Sequence, residues 1–556
     1  MEGKKKINKY NENANDDLQF DLSSFENQIA SEEKSANIHQ SSNLPMIEKK
    51  SDLMDYLASN DYGKKRARKS KKRPRLKTTD SSDKIKMKKT MKIAHEKVNQ
   101  TNRKKTKNQL NSSQNGFSNN LSFILKPSEI DFPQVLPTEL LVRIFSFLIE
   151  SSENSLEILI RLTRVCECWR KIILKTPKLW SQLNLSLMAN SRYLMEQLKN
   201  LHSASKIFQF VNDINLTDWK GEMVLKFLHF FKECSENEIH SLNLKNVTNA
   251  PTDFFKSLVN STGSLRYLNI SGITKSHHNR QNIFSNTAFK SLMERNGSTL
   301  HSLNMAENIT NSFGICFASV MEYCPNLQVL DISNVTSLGT PCSSISIEKF
   351  QQSCPNIRIL RAANVCFQTT CSSSAIGWTK LEELSIPFNV SFVMSAGHND
   401  HIIERLTKSS ENLTLLDIRG SANITPRGLV KIPAWSLKHL YISNCPKMQD
   451  DTLGMVFAKW KNSLVDIDLS WNKSESSIDE CVQSFCDAPK HEINLKRIDF
   501  RGSAISLETL RRLIVHCGDR IVKIDLQSCR SLPRGMKRLF QGEDFLHLRQ
   551  QFYDLT

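Results

Sequence analysis

Between residues 239 and 532 the chain repeats one hydrophobic–polar phrase: apolar-x-x-apolar-x-apolar, then a small or polar break. Leu327-x-x-Leu330-x-Ile332, Leu437-x-x-Leu440-x-Ile442 and Ile521-x-x-Ile524-x-Leu526 are examples. The alternation in the second half of the phrase has the period of a strand with one buried face. Its middle residues are Leu242, Leu268, Leu303, Leu330, Leu360, Leu384, Leu416, Leu440, Ile467, Ile498 and Ile524, with a weaker copy at Ile214. Steps between them run from 24 to 35 residues and average about 28, the length of a short strand plus a returning helix. Stretches such as 452–460 and 506–514 have the three- and four-residue apolar spacing of those helices. Cys324-Pro325-Asn326-Leu327 and Cys354-Pro355-Asn356-Ile357 read as a helix end followed by a strand start. About twelve such units over 205–540 predict an α/β solenoid, with parallel strands on its concave face and helices outside. Residues 541–556 are expected to be a C-terminal tail.

Upstream the period changes. Leu136-Pro137-Thr138-Glu139-Leu140 opens a segment in which Leu140, Leu141, Ile144, Phe145 and Leu148 recur at helical spacing. Pro137 suits a first turn, where a missing N–H costs nothing. A second helix is expected from 156 to about 174, turning Leu159, Leu162, Val165, Cys166 and Trp169 inward. Pro177 breaks it, and Leu179-Trp180 begins a last piece.

Composition divides the chain again. Residues 1–120 hold 27 Lys/Arg against 15 Asp/Glu, a net of +12 out of the chain's +18. This segment is rich in Asn, Ser, Lys and Asp, and cannot bury enough apolar surface to offset its ordering entropy. It is expected to be a disordered basic tail. Ten of the fourteen residues in 64–77 are cationic, among them Lys64, Lys65, Arg66, Arg68, Lys69, Lys71, Lys72 and Arg73. Such a run suits the acidic groove of a nuclear-import receptor. Sequence-blind nucleic-acid or nucleolar retention is the second reading, and a solvated charge run with no partner the third. No aromatic residue interrupts 64–107, so base stacking is not expected. Any nucleic-acid contact belongs to this tail.

The chain starts Met1-Glu2-Gly3-Lys4-Lys5-Lys6, without the apolar core of a signal peptide. No run of 18 apolar residues predicts a membrane span. The 14 cysteines include no CxxC pair and are expected to be reduced, small buried hydrophobes, not metal ligands. No HExxH, P-loop or GxGxxG is present, and no nucleophile–base pair stands out. His277, His278, His398 and His401 fall in expected insertions or loops. Neither a cofactor nor a metal is expected, and the chain is not expected to be an enzyme.

The upstream segment, about 131–185, resembles the F-box. It supplies Leu136-Pro137-x-Glu139-Leu140, Ile144-Phe145-x-x-Leu148, Val165-Cys166-x-x-Trp169-Arg170 and Pro177-x-Leu179-Trp180, in family order. The stretch from Leu148 to Val165 is longer than usual, implying an extended loop or an added helical turn around 150–156. The repeats resemble the cysteine-containing class of leucine-rich repeats, with Cys445 and Cys529 at the position after the strand. Together with the basic tail, the chain resembles F-box/leucine-rich proteins with basic amino termini.

The resemblance implies a non-catalytic substrate receptor of a Skp–cullin–F-box ubiquitin ligase. Its partners would be a Skp-type adaptor, the cullin and a protein substrate destined for ubiquitination and proteasomal degradation. A nuclear scaffold or an RNA- or ribosome-associated binding protein is the alternative. By resemblance, Leu136, Pro137, Leu140, Ile144, Phe145, Leu148, Val165, Trp169 and Trp180 are adaptor-facing. On the concave face, Tyr267, Asp331, Asp417, Arg419, Tyr441, Asp468 and Arg501 are expected to point outward and be free to bind substrate. Nuclear residence, with a cytoplasmic share, is the expected location.

Overall fold

The computed structural model describes residues 136–152, 155–188, 194–274, 284–338, 344–370, 376–388, 397–449 and 452–553. The basic residues Lys64 to Arg73, together with His277 and His278, lie outside them. Three helices come first: α1 (Thr138–Glu150), α2 (Ser155–Leu162) and α3 (Glu167–Lys175), followed by a 3-10 turn at Pro177–Trp180. The single helix expected from 156 to about 174 is in fact α2 and α3. Thr163 ends α2 by turning its hydroxyl onto the Ile160 carbonyl at 2.7 Å. Cys166, in extended backbone, then caps α3.

The chain next enters one fourteen-stranded sheet. Its strands are β1 (Gln182–Asn184), β2 (Asp213–Asn215), β3 (Ser241–Asn243), β4 (Tyr267–Asn269), β5 (Ser302–Asn304), β7 (Val329–Asp331) and β10 (Ile359–Arg361). They continue with β12 (Glu383–Ser385), β13 (Leu415–Asp417), β14 (His439–Tyr441), β15 (Asp466–Asp468), β16 (Arg497–Asp499), β17 (Lys523–Asp525) and β18 (Leu539–Gln541). The strands from β1 to β17 are parallel and in register: Leu183 meets Ile214, Leu330 meets Leu360, and Ile498 meets Ile524. Each middle residue of the sequence phrase is the buried centre of a strand. Short pairs β6 (Ile309–Thr310) with β8 (Thr336–Ser337), and β9 (Ser344–Ser346) with β11 (Cys366–Gln368), flank the sheet. No helix among the described residues is long and apolar enough to cross a membrane.

Two devices make three-residue strands possible. In the first, the residue after the strand centre folds its side chain back to accept the N–H two residues on. Asn243 does so for Lys245, Asn269 for Ser271, Asp331 for Ser333 and Asp468 for Ser470, at 2.9–3.1 Å. In the second, the residue four places after the centre takes a left-handed conformation, which turns the chain out of the sheet. It is Asp218, Asn246, Gly272, Glu307, Asn334, Asn364, Gly420, Asn444, Trp471, Gly502 and Ser528 in turn, with φ between 53° and 75°. Glycine, Asn and Asp suit that region; a tryptophan does not.

Helices pack one face of the sheet, among them α4 (Leu194–Ser205), α5 (Gly221–Cys234), α6 (Phe254–Ser261), α7 (Asn286–Asn296), α8 (Phe313–Tyr323) and α9 (Ile347–Ser353). The series continues with α10 (Asp400–Thr407), α11 (Pro426–Val430), α12 (Leu453–Trp460), α13 (Glu475–Cys486) and α14 (Leu507–Cys517). Between β10 and β12 the described residues contain no helix. Trp378 fills that place, donating its indole N–H to the Cys354 carbonyl at 2.9 Å. A buried ion pair between Arg405 and Glu348, at 3.1 Å, ties α10 to α9 across it. The core is continuous from Leu141 to Phe552.

Cysteines line this core: the Cys445 thiol donates to the Ile418 carbonyl at 3.3 Å, and Cys529 to Phe500 at 3.0 Å. Burial pushes the Cys324, Cys354 and Cys445 thiols up to about 12. The expectation of uniformly reduced cysteines is corrected at one place, since Cys366 is disulfide-bonded.

The C-terminal segment, expected as a tail, folds back onto the repeats. β18 turns back antiparallel on β17, and α15 (Glu543–Tyr553) packs on α14. The reason is hydrophobic: Phe540, Phe545, Leu548 and Phe552 are buried and close the end of the core.

Candidate functional site

Two surfaces are candidates, and the first lies on α1. This helix starts where the Leu141 N–H reaches the Pro137 carbonyl at 3.1 Å and ends on Ser151, whose N–H donates to Phe147. Leu141, Phe145 and Ile149 occupy its buried face. The opposite face carries Leu140, Ile144 and Phe147, spaced four and three residues apart and all exposed, and Leu136, two residues ahead of the helix, is exposed as well. Phe147 is 69% exposed. The spacing makes one apolar stripe on a helix whose inner face already fills the core. Glu139 and Arg143 flank it. Leu148, Val165 and Trp169 are half-buried, and Pro137 is exposed.

Two of the expected adaptor-facing residues are core. Phe145 is fully buried and takes the edge of Trp169 at 5.0 Å. Trp180 is buried as well, its indole N–H donating to the Ile173 carbonyl at 2.9 Å. That bond accounts for a tryptophan here: it ties the 3-10 turn to α3 and satisfies a helix-end carbonyl. Phe147, absent from the expected set, is the most exposed member of the stripe. Helical spacing from Leu140 and Ile144 was the signal that could have found it.

The second surface is the sheet face turned away from the helices. Here the expectation of freely presented side chains fails at several positions. Asp331, Asp417, Tyr441 and Asp468 are buried. Asp331, Asp417 and Asp468 are held by the backbone turns they cap. The Tyr441 hydroxyl donates to Asp466 at 3.4 Å, and the Arg419 guanidinium lies over its ring at 5.8 Å. Burial pushes the Tyr441 phenol well up. Arg419, Arg501 and Tyr267 are half-buried.

The face is divided along its length. In β1 to β5 the residue after the strand centre is Asn in every strand. From β13 to β17 that row reads Asp417, Tyr441, Asp468, Asp499 and Asp525, in register. Arg419 reaches Asp417 at 2.9 Å and Asp468 at 3.9 Å, while Arg501 reaches Asp499 at 2.8 Å and Asp525 at 4.0 Å. Arg497 pairs with Asp466 at 2.8 Å beside them. Burial raises the Asp468 and Asp499 carboxyls, and for Asp499 the neighbouring Asp468 charge adds to it. Of the expected loop histidines that are described, His398 is buried between Phe367 and Phe388, and His401 is exposed on α10.

An F-box-like family model matches residues 134–186. A stretch of 149 residues is 30% identical to the F-box protein SKIP1 of Arabidopsis thaliana, covering 24% of this chain and 48% of that protein. The chain thus spans about half the length of that curated relative. Among solved structures, the chain is similar to one from the Rad7 and Elc1 complex of yeast, at 14% identity and a TM-score of 0.37 over 73% of this chain and 89% of that one. The leucine-rich repeat-containing protein LegL7 of Legionella pneumophila matches at 14% identity, TM-score 0.32, covering 58% and 92%. The functional domain of InlJ from Listeria monocytogenes matches at 13%, TM-score 0.33, covering 59% and 56%.

Proposed function

We propose that this chain, an F-box-like domain at 134–186 joined to a leucine-rich-repeat solenoid, is the substrate-recognition subunit of a Skp–cullin–F-box ubiquitin ligase. The observation that carries the proposal is the stripe of Leu140, Ile144 and Phe147, apolar and exposed on a helix whose other face is already buried, with exposed Leu136 just ahead of it. Water penalises such a row of side chains, and a groove on a Skp-type adaptor would bury it. Each large side chain so buried contributes about 1.5–3 kcal/mol, and a few central anchors dominate such interfaces. The adaptor brings the cullin, and the solenoid holds the protein substrate. The receptor performs no chemistry itself; it converts a bimolecular encounter between substrate and ubiquitin-bearing enzyme into a tethered one. Proteasomal degradation of the substrate is the proposed outcome.

The test is capture of a Skp-type adaptor and its cullin by the full chain, compared with Leu140→Ala/Ile144→Ala. Capture by the wild type, lost in a variant whose circular dichroism is unchanged, is expected. A wild-type chain that captures neither protein ends the ligase reading and leaves a solenoid binding protein.

Nuclear residence belongs to the same proposal and rests on the cationic run 64–77. Replacing Lys64, Lys65, Arg66, Arg68, Lys69, Lys71, Lys72 and Arg73 by alanine in a fluorescent fusion should move it to the cytoplasm. Unchanged nuclear signal would show that the run is not the import signal.

A further inference from the structure

Trp471 breaks the rule of its own repeat. Four residues after the strand centre, the other repeats that turn left-handed use Asn, Asp, Glu, Ser or Gly; here φ is +64° with an indole attached. A bulky side chain in that region is strained, and such outliers gather at ligand clamps. The next repeat makes room for it, because a Cβ on Gly502 would lie 2.5 Å from Trp471 Cε3. The indole is nevertheless 46% exposed. Among the described residues its N–H makes no hydrogen bond, whereas Trp180, Trp219, Trp378 and Trp460 each give theirs to a buried carbonyl. The fold therefore seats Trp471 without using its ring as core.

What lies beside it sets the chemistry. Asp468, three residues before Trp471, stands in register with Asp499, and Asp499 with Asp525. Among the described ion pairs, four carboxylates (these three and Asp417) share the two guanidiniums of Arg419 and Arg501. In those pairs the row holds more carboxylates than guanidiniums, and at Asp499 the neighbouring Asp468 charge adds to the rise that burial causes. An anionic ligand would meet more carboxylates than guanidiniums, and the guanidiniums are already engaged. A cationic side chain would supply the missing charge and stack on the open indole face.

We propose that the rim of the sheet at β15 to β17, formed by Trp471 with Asp499 and Asp525, is the docking surface for the partner protein and takes an extended segment presenting a lysine or arginine. The cation lies over the Trp471 indole and against the carboxylates, and the strands β1 to β5, with their neutral Asn row, contribute no charge selection. This proposal rests on the reading of the solenoid as the partner-binding half of the chain.

The test uses the full chain as probe on an array of peptides whose central residues are lysine or arginine, glutamate, phosphoserine, or uncharged. The strongest binder is then titrated by fluorescence anisotropy against wild type, Trp471→Gly and Asp499→Asn. Retention of lysine- or arginine-centred peptides is expected, with affinity falling about tenfold or more in each variant. Glycine at 471 is the residue neighbouring repeats already use, as at Gly420 and Gly502, so that variant keeps its fold. Retention of glutamate or phosphoserine peptides instead, binding that survives both substitutions, or no retention at all would each overturn the proposal. Adaptor capture by the same wild-type chain is measured in parallel; its failure ends the ligase reading and leaves the peptide result standing.

Discussion

The indole of Trp471 lies across the Cα of Gly502, close enough that a single added methyl at 502 would meet Cε3 at 2.5 Å and Cζ3 at 2.7 Å. Gly502 itself has φ +66°, so alanine there is strained twice, by backbone and by contact. Gly502→Ala should cost on the order of 2–3 kcal/mol, the left-handed penalty alone accounting for about 1–2. In a Trp471→Gly background the contact penalty disappears, and the same substitution should cost only the backbone part. Urea unfolding of the four proteins in this cycle measures the difference. Equal costs in both backgrounds would mean that the ring and the glycine are not coupled.

The stripe and the core of α1 separate cleanly by mutation. Leu140→Ala and Ile144→Ala remove exposed atoms and should change stability by about 0.5 kcal/mol or less while weakening adaptor capture. Phe145→Ala and Trp180→Ala create cavities and should cost about 3–5 kcal/mol each. Trp180→Ala also removes the indole bond to the Ile173 carbonyl, leaving it the Thr176 N–H alone. Thermal unfolding distinguishes the pairs; a Trp180→Ala protein as stable as Leu140→Ala would contradict the burial described above.

Asp499 makes the folded chain sensitive to rising pH. Burial and the Asp468 charge push its carboxyl up to about 7 from an ordinary 3.8. Between those values the folded state holds the proton more tightly than the unfolded state, so stability falls as pH rises from about 4 to about 7. Asn at 499 can still accept the Arg501 N–H through its side-chain oxygen. Asp499→Asn should therefore raise the Tm at pH 8 and change it little at pH 4. A Tm gain of equal size at both pH values would rule out the ionisation as its cause.

His398 works in the opposite direction. It is buried, its Nε2 lies 3.0 Å from the Val365 carbonyl, and burial lowers its pKa from 6.5 to about 4. The unfolded chain takes up a proton near 6.5 and the folded chain does not, so this contribution to stability is lost as pH falls from 6.5 towards 4. His398→Gln should be less stable than wild type at pH 7.5, and the gap should narrow by pH 5. A constant gap across that range, measured by denaturant unfolding, would show that the imidazole takes up its proton equally in the folded and unfolded chain.

Removing residues 539–556 should strip β17 of its antiparallel partner and expose the core face covered by Phe540, Phe545, Leu548 and Phe552. Repeat arrays without a terminal cap lose solubility. The truncated chain should aggregate or melt several degrees lower, read by light scattering during a thermal scan. Unchanged behaviour would make the segment dispensable.

The repeat centres and the α1 helix were legible in the sequence because burial on one face of a strand or helix imposes a period that needs no knowledge of neighbours. Leu330, Leu440 and Ile524 must be apolar wherever the strand pairs. The resemblance of 136–180 to the F-box also lay in linear order, since its residues serve one small helical unit. Exposure was not legible. Leu140 and Phe145 are both apolar residues on α1, yet one faces water and the other Trp169, and only the packing of α3 against α1 decides which. Asp417 and Asp468 looked outward by alternation, but each turns back onto a backbone N–H two residues on and is buried beside its neighbours across the sheet. Trp471 carried no signal at all until its φ and its contact with Gly502 could be seen. Periodicity is a property of one chain segment and is written along it. Burial, shared charge and strain arise between segments brought together from 20 or more residues apart, and tertiary structure alone decides them.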